Sequence, residues 1–148
     1  MLGTSKRKIG LEMADISKTT KSAVDTYLAA HPEATSRFDS GIDDGLTAVT
    51  NTMQWSRIVQ GILQIVENAT SPGDHINVSF SKNIDSGIFR ANCKSGSTDK
   101  DIGSIRREME DESGIIRELG ETIGVKIKVF VEDGNSVSIT AELSLLDE

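Results

Sequence analysis

Between Met53 and Ala69 apolar residues recur at helical spacing. Trp55, Ile58, Ile62, Ile65 and Ala69 share one face, with Val59 and Val66 beside them. Ser71-Pro72-Gly73 stops the pattern, and the apolar period then falls from about 3.6 to about 2. Ile76, Val78 and Phe80 alternate with polar residues. Asn83 to Gly87 reads as a turn, and Ile88 to Asn92 returns as a second strand. The clearest hairpin closes the chain. Val125, Ile127, Val129 and Val131 alternate, Asp133-Gly134-Asn135 turns, and Val137, Ile139, Ala141, Leu143 and Leu145 alternate back.

The remaining segments carry weaker patterns. Leu11 to Ile16 reads as a short edge strand. Ser17 is the expected N-cap of a helix over Lys18 to Ala30, because its hydroxyl can accept an orphan backbone N–H. Val24, Tyr27 and Leu28 form the stripe of that helix, and Pro32 ends it by forcing His31 out of the helical region. Thr35 to Ile42 reads as a strand, followed by a polar loop through Asp43-Asp44-Gly45. The highly charged run from Thr98 to Glu112 suits either a helix or a mobile loop. Ile115, Ile116, Leu119 and Ile123 mark a further amphipathic helix. The expected order is strand, helix, strand, helix, two strands, helix, two strands. That order predicts an α/β fold with helices on one side of a mostly antiparallel sheet.

A chain of 148 residues suits one domain, expected over residues 11–148 behind a disordered lead at 1–10. Aromatics make up only 4%, so Ile, Val, Leu and Ala must fill the core. A net charge of −7 argues against broad nucleic-acid binding, which depends on cations neutralising phosphates. Lys6-Arg7-Lys8 runs against that balance and reads as a solvated tail. A single cysteine, Cys93, allows no internal disulfide and suits a reducing compartment. No apolar run approaches the roughly 18 residues of a membrane span, and Met1 to Met13 holds no signal-peptide core. The expected location is cytoplasmic. His31 and His75 have no ligand cluster at metal spacing, and Cys93 has no His or Asp in sequence to make it a nucleophile.

One polar constellation stands out. At 100° per residue Arg57, Gly61, Gln64 and Asn68 fall in one stripe of the central helix, roughly 120° from the apolar face. A glycine inside a helix costs about 1 kcal/mol relative to alanine, so Gly61 points to the close approach of a partner or ligand. Read from the residues alone, the stripe better suits a solvated face on which Asn68 helps to terminate the helix.

These residues resemble the asparagine-box helix of histidine-kinase ATPase domains, the GHKL superfamily. The family pattern R-x-x-Q-x-L-x-N-L-L-x-N-A finds Arg57, Gln60, Ile62, Gln64, Ile65, Val66, Asn68 and Ala69 in its places. The resemblance implies a two-layer α/β sandwich with Asn68 as the magnesium-holding asparagine. Gln64 stands at the position of a second asparagine or a catalytic glutamate, and an amide there implies no water-activating base. The first glycine box, D-x-G-x-G, falls on Asn92-Cys93-Lys94-Ser95-Gly96. Asn92 replaces the adenine-binding aspartate, Lys94 replaces a glycine, and only Gly96 is kept. The second, G-x-G-L-G, falls on Glu110-Asp111-Glu112-Ser113-Gly114. Three carboxylates there would repel a triphosphate by roughly several tenths to a few kcal/mol. Ile116 to Leu119, Gly124 to Ile127 and Ser136 to Leu143 look like the family's last helix and closing hairpin.

The resemblance therefore implies a degenerate ATP site in a non-catalytic signalling module of two-component type, similar to the pseudo-ATPase domain of histidine phosphotransferases. Its partner would be a response regulator or a kinase-like chain. That protein would meet the edge carrying Arg57, Lys94, Arg106 and Arg107 rather than the open face of the sheet, and no nucleic acid, membrane insertion or cofactor is expected. The alternatives are a divergent ATP-binding domain and a small scaffold protein on an inherited fold. The first would use Gln64, Asn68, Asn92 and Gly96 for ATP, and Asn68 for magnesium. The family's phosphoacceptor histidine sits on a separate dimerisation helix, a context that His31-Pro32-Glu33 does not fit.

Overall fold

A computed structural model describes residues 10–94, 101–132 and 136–146. The expected disordered lead with its Lys6-Arg7-Lys8 cluster, Gly96 and the 133–135 turn lie outside the described residues (Gly10 aside).

The central helix forms as the periodicity predicts. α2 spans Thr52–Asn68, and the side chain of Asn51 caps it by accepting from the Gln54 N–H at 2.8 Å. Trp55, Ile58, Val59, Ile62, Leu63, Ile65 and Val66 are all buried, so one stripe of this helix builds the middle of the core. Trp55 is fully buried, and its indole N–H is satisfied by the Thr20 hydroxyl at 2.8 Å. α1 (Ile16–Ala30) packs beside α2.

Both helices lie on one face of a five-stranded sheet ordered β2-β4-β5-β7-β6. Its strands are β2 (Phe38–Ile42), β4 (Ile76–Asn83), β5 (Ser86–Lys94), β6 (Lys126–Glu132) and β7 (Ser136–Ser144). All neighbours are antiparallel except β2 and β4, which run parallel. Ile76, Val78, Phe80, Phe89, Ala91, Cys93, Val137, Ile139 and Ala141 are buried with the helices. Alternation sends Arg90, Asn92, Lys128 and Thr140 to the opposite, open face.

Three local expectations are corrected. The N-cap of α1 is Asp15, whose carboxylate accepts from the Lys18 N–H at 3.0 Å. The helix starts earlier because Ile16 is needed in the core. Ser17 is instead buried, with its hydroxyl donating to the Asp43 carbonyl and accepting from the Leu46 N–H. The strand expected from Thr35 begins only at Phe38. Pro32–Arg37 winds into a 3₁₀ turn, with Pro32 supplying the fixed φ of a helical start. Arg37 then bonds the Asp74 carbonyl and the Thr70 hydroxyl, tying that turn to the loop after α2. A short strand not anticipated, β3 (Thr47–Thr50), pairs antiparallel with β1 (Glu12–Asp15).

The charged run resolves into helix. α3 spans Ile102–Glu112, capped by Asp101, and buries Ile105 and Met109 against the β6 side of the domain. α4 follows at Gly114–Ile123 and packs on α2. Among the described residues no helix is long and apolar enough to cross a membrane.

Candidate functional site

The polar stripe of α2 faces α4 across a groove of about 540 Å³. Arg57, Gly61, Gln64 and Ile65 form one wall, and Glu112, Ile115, Ile116 and Leu119 form the other. Two glycines set the position of α4, one against α2 and one against the segment that leads into β6. A Cβ on Gly61 would stand 2.5 Å from Ile116 Cγ2, so the close approach marked by Gly61 is that of α4 itself. A Cβ on Gly120 would stand 2.8 Å from the Val125 carbonyl oxygen, where α4 turns back into β6. Ile116 is buried in this seat, whereas its neighbour Ile115 is 72% exposed on the groove.

Asn68 lies one turn beyond Gln64, outside the groove lining, and bonds to both walls. Its Oδ1 accepts from Gln64 Nε2 at 3.0 Å, one helical turn back. Its Nδ2 donates to Glu112 Oε2 at 3.3 Å. Both ends of the amide are thus engaged, and a carboxylate already lies beside it. On α3 and α4, Glu110 pairs with Arg117 at 2.8 Å. Among the described residues no three His, Cys, Asp or Glu side chains converge on a point that would hold a metal ion.

The remaining candidate residues stand elsewhere. Asn92 faces the open side of the sheet by strand alternation, so it does not join Gln64 and Asn68. The helix-facing neighbour at that end of β5 is Cys93, fully buried, with burial pushing its thiol up to about 11. Of the four cations grouped at one edge by the sequence, only Arg57 lines the groove. Lys94 ends β5 in the open-face register, Arg107 is exposed on α3, and Arg106 donates to the Val131 carbonyl at 2.7 Å. Two features of the site escaped the sequence. Glu112 serves Asn68, and Ile116 fills the space over Gly61. The glycine inside the apolar helix was the legible trace of the second.

Helices on one face of a mixed sheet, with the asparagine helix central and a closing hairpin at the edge, have clear counterparts among solved structures. This is the fold of histidine-kinase catalytic domains. A mycobacterial sensor histidine kinase, MprB, matches with a TM-score of 0.69 at 10% identity, over 92% of this chain and 98% of that one. The Acinetobacter baumannii histidine kinase AdeS matches with a TM-score of 0.69 at 9% identity, over 95% of this chain and 70% of that one. Full-length ShkA in complex with AMPPNP matches with a TM-score of 0.68 at 13% identity. There this chain is covered over 95% but spans 32% of the larger protein. No family model matches the sequence, and no curated protein matches it either.

Proposed function

We propose that this domain is a non-catalytic module of two-component-type signalling, a histidine-kinase-type fold that has given up Mg-ATP and works by binding a protein. The observation that carries this reading is the state of Asn68. A magnesium ion would need the Asn68 Oδ1, which accepts from Gln64, and the triphosphate would need the space beside Glu112, whose carboxylate bonds the same amide. The residues present do not fit the group. A carboxylate there repels a phosphate, and Asp111 adds a second on the same helix, whereas the charge of Glu110 is compensated by Arg117. Asn92, the candidate adenine contact, points away from the groove.

What the groove offers instead is apolar surface. Ile65, Ile115 and Leu119 line it, with the Arg57 guanidinium on the α2 wall. That mix suits a protein side chain or helix better than a nucleotide. The partner class this reading favours is a response regulator or a kinase-like chain.

The test is a thermal-shift titration with millimolar ATP, with and without magnesium, on the wild type and Asn68→Ala. We expect no magnesium-dependent shift in either. A shift in the wild type that disappears in Asn68→Ala would overturn the reading in favour of a divergent ATP-binding domain.

A further inference from the structure

The open face of the sheet carries a second arrangement that the groove does not explain. The ladder places Arg90 of β5 opposite Thr140 of β7, and Thr140 opposite Lys128 of β6. The three form one row straight across three strands, cation, hydroxyl, cation. With strands about 4.8 Å apart, the two cationic columns stand about 10 Å apart. Both cations are exposed, and among the described residues neither makes an ion pair. This chain has 23 acids and 16 Lys or Arg, so these two are not unpaired for want of carboxylates. Glu142 and Glu132 line the same depression of about 490 Å³ without bridging to them, and Glu142 has Lys126 directly across the ladder. With Lys126 counted, three cations on this part of the face stand against two carboxylates, Glu132 and Glu142.

Two apolar side chains flank the row. Phe130, 43% exposed, lies one row on beside Ser138, and Ile88 lies one row back beside Glu142. Guanidinium and hydroxyl groups in a line suit a carboxylate, since the planar fork of Arg90 can hold both of its oxygens. The backbone N–H groups of β5 and β7 are spent on the ladder, and those of the edge strand β6 lie in the plane of the sheet, so this face has no amide cradle of the kind that phosphates use. A single exposed ring is too small a platform for successive stacked bases.

We propose that this row is a docking site for an extended acidic peptide of a partner protein, with a carboxylate seated between Arg90 and Lys128 and apolar neighbours resting on Phe130 and Ile88. It lies on the opposite side of the sheet from the α2–α4 groove and does not depend on the function assigned there. The domain would then join two partners, one on each layer.

The experiment is an amide-resolved NMR titration of the whole chain with an unlabelled peptide of alternating Glu and Val. The same peptide with Gln for Glu serves as control. We expect shifts at the amides of Arg90, Lys128, Phe130 and Thr140 that fade with salt. Apparent affinity should fall at least about tenfold in Arg90→Glu with Lys128→Glu. Both side chains are exposed, so the fold should survive, and the spectrum itself reports whether it does. Ile115→Asp, in the groove, should leave this binding unchanged. The proposal fails if the Gln peptide binds equally well or if the double reversal has no effect. It also fails if the shifts map to α2 and α4, or if a single-stranded oligonucleotide moves the same amides more strongly than the acidic peptide.

Discussion

The two walls of the groove are built on different terms. α2 holds its place with seven buried side chains along 17 residues, facing β5 and β7 on one side and α1 on another. α4 buries only Ile116 and Gly120 along 10 residues, and its position depends on two points where a Cβ is missing. The first wall is fixed by the amount of apolar surface removed from water, which tolerates small errors. The second is fixed by shape at Gly61 and Gly120, which does not. A fold can thus keep its central helix while the opposing element drifts toward or away from it, and with it whatever the groove can hold.

The strongest way to break this comparison is to show that α2 is replaceable. Trp55→Ala should cost about 3–5 kcal/mol, since it empties the largest buried side chain and removes the indole N–H that the Thr20 hydroxyl oxygen accepts from. Urea unfolding followed by circular dichroism reads the loss directly. A cost below about 1 kcal/mol would mean that α2 is not the anchor described, because a core collapse cheap enough to hide such a cavity is outside the usual range.

The second wall should respond less to truncation and more specifically to added bulk. Ile116→Ala should cost about 2–3 kcal/mol, at the low end for a buried isoleucine, because the groove beside it lets the site relax. Gly61→Ala sets two effects against each other. Helix propensity favours alanine by about 1 kcal/mol, and the clash with Ile116 costs about 1–3 kcal/mol. We expect a net loss of about 1 kcal/mol that Ile116→Ala on the same chain turns into a gain relative to Ile116→Ala alone. If the two substitutions simply add, α4 does not rest on Gly61.

The same contrast explains what could be read from the sequence. α2, the β4–β5 pair and the β6 and β7 strands were legible because each carries a long, regular apolar period set by burial on one side. β3 was not, since Ala48 is the only apolar residue of its four to turn fully inward, and four residues give no period to count. The 3₁₀ turn at Pro32–Arg37 has a proline and local bonds at its start, but the arginine contacts that tie it to the loop after α2 reach residues 33 and 37 positions away and leave no local trace. In the site, Gln64 and Asn68 could be placed together from helical geometry alone. Asn92 could not be separated from them until the strand's alternation was fixed by Phe89, Ala91 and Cys93 facing the helices. One residue of register decides which face a side chain joins.

The smallest effect concerns the link between the walls. Asn68 is exposed, and its two side-chain hydrogen bonds run along α2 and across to Glu112. Surface bonds of this kind contribute little, because water competes for both partners. Asn68→Ala should therefore change stability by no more than about 0.5 kcal/mol in either direction. Stability alone would then say nothing about why an asparagine is there. A double-mutant cycle with Glu112→Ala does. If the bond across the groove forms in solution, the two substitutions should couple by a few tenths of a kcal/mol, with the doubly substituted protein more stable than additivity predicts. Zero coupling would mean that Glu112 is free to leave, that Asn68 is available to a ligand, and that the case for a groove closed to magnesium is lost.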